Sequence, residues 1–423
     1  MGAIIIAFVF RPPKIDITSS LVKIMISTSA PSSPWRQQIE IELTGNILPF
    51  WMAHALDRGN GGFYGAITND LQVHNEVPRS AILCARLLWT FATAYRKLGQ
   101  PEYLQTAKWA YDYLTSVFWD QEYGGVYWSV NYAGEPVLDR KHHYAQAFAI
   151  YGLSEYHRAT GDNRSLELAQ QLFALLETHA FEPLHGGYLE GSRRNWGKLA
   201  DMRLSERDLN CRKSMNTMLH ILEAYTNLLR VWPDARLKEQ HWALILIFLE
   251  QIIDPQSAHF KLFFDDAWQS LLPHISYGHD IEGSWLLVEA AEIQGDPGLL
   301  ERVRSLAVRM AEAVYQQGVD EDGSLFYEAG PEGLEDDSKS WWVQAEAMVG
   351  FYSAYQLSDQ EHFTQAARRS WEYIQAQLVD HEYGDWIKQR RRDGTIDSSV
   401  YKVGPWECPY HHSRAGFEML ERL

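Results

Sequence analysis

Gly61-Gly62-Phe63-Tyr64 recurs along the chain as Gly124-Gly125-Val126-Tyr127 and Gly186-Gly187-Tyr188. Weaker copies are Phe260-Lys261-Leu262-Phe263-Phe264, Gly323-Ser324-Leu325-Phe326-Tyr327 and Gly384-Asp385-Trp386. Their starts at 61, 124, 186, 260, 323 and 384 lie 63, 62, 74, 63 and 61 residues apart. Self-similarity at a nearly fixed period marks one supersecondary unit repeated, and six copies are visible.

Two helical stretches fall between successive turns, read from 3.6-residue periodicity and breaker positions. One set, at 36–56, 102–118, 164–180, 236–254, 298–317 and 360–379, is amphipathic, as in Ala107-Lys108-Trp109-Ala110-Tyr111-Asp112. The other, at 79–99, 142–160, 214–231, 279–295, 340–357 and 405–421, is apolar or small nearly all round, as in Trp341-Trp342-Val343-Gln344-Ala345. A helix apolar on every side belongs inside. Six exposed helices alternating with six buried ones predict an all-α (α/α)6 barrel with short β-hairpins at one mouth. A linear helical solenoid is the structural alternative. The barrel domain is expected over 34–423, and 1–33, rich in Pro, Ser and Thr, as a loose extension with Met25 as an alternative start.

Composition narrows the partners. The chain has 423 residues, 46% hydrophobic and 22% charged, with a net charge of −17. That is globular composition, and the acidic excess argues against nucleic acid or an anionic membrane as a partner. Three cysteines without a CxxC pair give no disulfide framework and fit a reducing compartment. The apolar stretch from Gly2 to Phe10 is far short of the ~20 residues that span a bilayer. It has no basic n-region, so a cytoplasmic location is expected. The 16 Trp, 22 Tyr and 17 Phe suit either large cores or surfaces that stack on sugars.

Polar residues inside an apolar helix are costly unless satisfied or used. Here they gather in the first turns of the buried helices: Arg79 and Arg86; His142, His143 and Tyr144; Asn216 and His220; His279, Asp280 and Glu282; Trp341, Trp342 and Glu346; Trp406, Glu407, His411, His412 and Arg414. All six helices would point these groups into one funnel. Each also has a plainer reading. His220 suits a satisfied core histidine, and His279 with Asp280 suits a helix cap. One member of each pair His142-His143 and His411-His412 suits partial exposure, and Arg86 suits a buried ion pair with Glu346 or Glu282. The six together favour a functional funnel.

The motifs of nucleotide binding and serine hydrolysis are absent. A metal set from His220, His279, Glu282 and His411 has suitable ligand types. An inverting glycosidase would pair Glu282 with Asp208 or Glu346. Acid–base work by several histidines fits better, because an imidazole can remove and return a proton near neutrality. Inversion beside a carbonyl needs that on both faces of one carbon. Arg86, Asn216 and His220 would stabilise the oxyanion, and Trp342 and Trp406 would wall the sugar.

Five stretches carry a resemblance: Ala85-Arg86-Leu87-Leu88-Trp89-Thr90-Phe91, Lys213-Ser214-Met215-Asn216-Thr217-Met218-Leu219-His220, Ile275-Ser276-Tyr277-Gly278-His279-Asp280-Ile281-Glu282-Gly283-Ser284-Trp285, Trp341-Trp342-Val343-Gln344-Ala345-Glu346-Ala347 and Trp406-Glu407-Cys408-Pro409-Tyr410-His411. Over 35–423 the chain resembles the cellobiose 2-epimerase family of the N-acylglucosamine 2-epimerase superfamily. The resemblance implies reversible C2 inversion of the reducing-end glucose of β-1,4-linked disaccharides, with no cofactor and no resident metal. It implies that His279 and His411 are the paired acid/base residues, that His220 assists ring opening, and that Glu282 tunes His279. Arg86 and Asn216 would hold the enediolate oxygens; Tyr144, Asp208, Trp342, Glu346 and Trp406 would position the sugar. Met218, His412, Glu407 and Gly283 depart from the family's usual His, Asn, Lys and Ala. A monosaccharide aldose–ketose isomerase or mannose 2-epimerase on the same barrel is the alternative. The expected partner is a small-molecule sugar, with the chain acting as a monomer or weak homodimer.

Overall fold

The computed structural model describes residues 33–206 and 208–423. The extension expected over 1–33 lies, but for Ser33, outside the described residues. Twelve helices follow among them. The outer ones are α1 (34–55), α3 (101–118), α5 (Asn163–His179), α7 (235–252), α9 (Pro297–Gly318) and α11 (361–378). The inner ones are α2 (Ala81–Leu98), α4 (His143–Thr160), α6 (Met215–Leu229), α8 (Tyr277–Gln294), α10 (Trp341–Ser358) and α12 (Tyr410–Arg422). Helices α1, α3, α7 and α11 widen into π turns toward their C-terminal ends.

Local chemistry sets the joints. Helices α2, α4 and α8 end on Gly99, Gly161 and Gly295 in the left-handed conformation, and each is followed within two residues by the next helix. Pro101 and Pro297 stand at the first helical position of α3 and α9, where a missing N–H costs nothing. Each inner helix packs on the next, α2 on α4, α4 on α6, and so on to α10 on α12, and α12 returns to α2. That return closes the ring and excludes the solenoid. Each outer helix covers an inner one, with α1 against α12 completing the outer ring.

The repeat is visible in the hairpins too. Bridges pair Leu56 with Phe63, Trp119 with Val126, Phe181 with Tyr188, Ile253 with Phe260, Val319 with Leu325 and Val379 with Trp386. The fourth turn lacks glycine, and Ala258 takes the left-handed conformation there, at φ 61°. Two-residue strands before the inner helices then pair with the next repeat: Arg79-Ser80 with Ser129-Val130, Lys141-His142 with Gly191-Ser192, and Lys213-Ser214 with Phe263-Phe264. Ile67 with Val403 closes that circle.

Buried ion pairs fasten five of the six hairpins to the strand before the inner helix. Arg79 meets Asp57, Lys141 meets Asp120, Lys213 meets Glu182, Lys339 meets Asp320 and Lys402 meets Asp380. Arg79 is therefore structural, on the strand before α2, and does not face the funnel. Removing one partner of such a pair strands the other in the interior. Asp120→Ala, which leaves Lys141 buried without its carboxylate, is expected to lower the unfolding free energy by about 3 kcal/mol in urea titrations.

One boundary differs from the sequence reading. The last inner helix begins at Tyr410, five residues later than expected, because Pro409 occupies its N-cap. Trp406 and Glu407 thus sit on the loop that leads into α12.

Candidate active site

The inner helices bring His220, His279, His411, Arg86, Glu282 and Glu346 to the mouth where those helices begin. His279 and His411 lie against the same indole: the ring of Trp342 is 4.9 Å from the His279 ring and 5.3 Å from the His411 ring, centroid to centroid. Gly278 makes the approach possible, since a Cβ there would meet Trp342 at 2.4 Å. His279 Nδ1 contacts the Ser276 hydroxyl at 2.7 Å. Both imidazoles are depressed: burial, with the charges of His220 and Arg86 nearby, takes His279 down to about 3, and burial with Arg86 and Arg414 lowers His411. Each is a neutral base at pH 7.

Beneath them lies a charged hub. Arg414 donates to Glu223, Glu282 and Glu346, the last at 2.6 Å. Glu346 also accepts from His411 Nδ1 at 2.7 Å and from Trp285 Nε1 at 3.1 Å. An Nδ1–H bound to a carboxylate leaves Nε2 of His411 with its lone pair available. Glu223 accepts from His220 Nδ1 at 2.9 Å and from the Tyr410 hydroxyl. Burial alone would raise Glu223, yet the Arg414 charge and the His220 bond hold it down at about 2. Burial, with the Glu346 carboxylate beside it, pushes Glu282 up to about 7.

These contacts correct four expectations. Glu282 bonds Arg414 and lies 3.7 Å from His411, so its neighbour is His411 instead of His279. Glu346 is fully buried on His411, Arg414 and Trp285, so it holds the machinery and does not line the sugar's space. Arg86 has no carboxylate partner among the described residues: it donates to the Tyr144 hydroxyl at 2.8 Å and contacts Cys408 Sγ at 3.6 Å, its Nε left without a partner. His142, His143, His411 and His412 are all buried, where one of each pair was expected to be exposed.

The remaining expected residues surround this centre. His220 sits between the rings of Tyr144 and Phe148, at 4.9 and 4.8 Å. Trp406 packs edge-on to Tyr144 at 6.0 Å. Asn216, Asp208 and His279 line one cavity with Tyr327 and Glu328, and the Asn216 Oδ1 is buried without a partner. Asp208 accepts the Ser205 amide at 2.7 Å, and burial raises its carboxyl.

Of the two carboxylate pairings a glycosidase could use, the one between Glu282 and Glu346 is not met. Glu282 and Glu346 are both buried on one guanidinium, so they cannot straddle a glycosidic bond. Glu282, Glu346 and His411 bring ligand atoms within 4.8 Å of one another. Arg414 already places a fixed positive charge on both carboxylates there.

Residues 62–415 match the N-acylglucosamine 2-epimerase (GlcNAc 2-epimerase) family. The chain is 48% identical to a cellobiose 2-epimerase from Bacteroides fragilis, over 91% of this chain and 98% of that one. The cellobiose 2-epimerase structure from Bacillus thermoamylovorans superposes with a TM-score of 0.88 at 41% identity, covering 92% of this chain and 99% of that one. The chain belongs to the cellobiose 2-epimerase family. It is a carbohydrate epimerase on an (α/α)6 barrel. A D-mannose isomerase at 22% identity and TM-score 0.80 shares the fold.

For this epimerase the sequence reading left Arg414, Glu223 and Tyr410 without roles. A signal existed: Glu223 follows His220 by one helical turn, and Tyr410 and Arg414 are four apart on one face. The hub also has a pH signature. The folded-state pKa of Glu282 is raised, so its contribution to stability is full below the ordinary value of 4.5 and lost as pH rises through about 7. Glu282→Gln is therefore expected to flatten the decline in unfolding free energy between those values, read by urea titration at a series of pH.

Among the described residues no helix is long and apolar enough to cross a membrane.

Proposed function

We propose that the protein reversibly inverts C2 of the reducing-end glucose of β-1,4-linked disaccharides, converting cellobiose to glucosyl-mannose and lactose to epilactose. The observation that carries this reading is the placement of His279 and His411 on one indole, beside a guanidinium that no carboxylate neutralises. With the ring opened, assisted by His220, one imidazole takes the C2 proton. The electron pair moves into the C1 carbonyl, giving an enediolate. Arg86 bears on the developing oxyanion and Asn216 Oδ1 accepts an enediol hydroxyl. Negative charge on the sugar raises the depressed imidazoles as the reaction proceeds, so the neutral base becomes a competent acid. After rotation about C2–C3 the other imidazole, which has taken up a proton from water as the enediolate's charge raises its basicity, delivers that proton to the opposite face of C2, and the first imidazole releases the proton it took to water. Trp342, Trp406, Tyr144 and Asp208 hold the sugar in place. No step in this sequence calls on a cofactor.

Product analysis with cellobiose, lactose and mannose side by side tests the reading. It expects intact disaccharide epimers from the first two. Ketose from mannose with no disaccharide epimer would instead establish the isomerase alternative, and released glucose would establish a hydrolase.

A further inference from the structure

The second residue of the glycine turn is Gly62, Gly125 and Gly187 in the first three repeats and Ser324 in the fifth. In the fourth it is His259 and in the sixth Asp385. Those two repeats supply His279 and His411. In each, the turn residue contacts the residue that follows the acid/base histidine in the chain. His259 Nδ1 meets Asp280 Oδ2 at 2.7 Å, and His412 Nε2 meets Asp385 Oδ1 at 2.7 Å. The roles are exchanged, with the imidazole on the turn in one repeat and on the helix in the other. All four side chains are buried. Each dyad is tied further to its hairpin: Asp280 Oδ1 accepts the Phe260 amide at 2.7 Å, and Asp385 Oδ2 accepts Lys388 Nζ at 2.7 Å. In the second and fifth repeats an uncharged group does this work, Gln146 on Val126 and Gln344 on Leu325.

We propose that His259–Asp280 and His412–Asp385 are a matched pair of positioning dyads, each fixing the first turn of its helix to the mouth hairpin and so fixing the reach of His279 or His411 toward C2. Successive helix residues project about 100° apart, so each dyad grips its helix about a quarter-turn round from the acid/base imidazole and leaves that imidazole free. The proposal rests on the reading that His279 and His411 serve opposite faces of C2.

The test uses partition of the enediolate. Wild type, His259→Leu and His412→Leu are each incubated with cellobiose in deuterated water, and C2 deuterium in recovered cellobiose is compared with that in the epimer. Weakening the imidazole on the product face returns more label to the substrate; weakening the one on the substrate face sends more to the product. The two variants should therefore move the ratio in opposite directions, each by about threefold or more, while KM changes little. His259→Gln and His412→Asn keep a side-chain donor, should fall between, and serve if the leucine variants do not fold. A ratio unmoved in the variants, with loss of thermal stability alone, overturns the proposal. A wild type that makes epimer but takes up no deuterium at C2 overturns the acid/base reading itself, and the dyads with it.

Discussion

Replacing His411 with alanine is expected to lower kcat for epimerisation by about 10²–10⁴, the range for losing a positioned general acid/base. The expectation follows from the surroundings of the ring. Its Nδ1 is fixed on Glu346 at 2.7 Å and its face lies on Trp342, so no other described group stands in the same place to accept the proton. The barrel should tolerate the change, because the methyl group leaves Glu346 still bonded to Arg414 and Trp285. Steady-state kinetics with cellobiose, beside a thermal melt, separates the two effects: kcat falls while the melting temperature moves little. His279→Ala should lose a similar factor by the same argument. A variant of either residue with wild-type kcat would remove it from the chemistry.

Arg414→Met is expected to lower the unfolding free energy by about 3–5 kcal/mol, because it leaves buried carboxylates without their counter-charge. Glu223, Glu282 and Glu346 all converge on this guanidinium, and each is almost wholly buried. Without it the three must protonate or repel. Activity of the folded fraction should fall as well, since Glu346 holds His411 and Glu223 holds His220. Adding Glu282→Gln should recover part of the lost stability by removing one of the stranded charges. Urea titration of the single and double variants reads this coupling directly.

The barrel was legible because its signal is periodic. The glycine turns recur, and the inner helices differ from the outer ones in having no polar face. The site was legible as a set, since six helices starting at one mouth carry their polar groups in the first turns. What could not be read was which partner each group chooses. Arg86 and Arg414 are both buried arginines of the inner ring, and the carboxylates of α8 and α10 take the second. That choice depends on α12 closing against α10, a contact between helices that sequence spacing does not specify. The fastening pairs of the hairpins are similar. An acid before each turn and a base before five of the six inner helices recur in plain sight, yet Asp120 and Lys141 meet only because the chain doubles back through the hairpin. The late start of α12 is local: Pro409 stops the helix from beginning earlier, and so Trp406 reaches Tyr144 from a loop.

The most direct measurement follows deuterium at C2 by NMR as the protein acts on cellobiose in deuterated water. Two imidazoles trading the C2 hydrogen across an opened sugar predict solvent deuterium at C2 of the epimer, lost with either His279→Ala or His411→Ala. Epimer formed with its original hydrogen still at C2, or labelled at undiminished rate without either imidazole, would contradict the account.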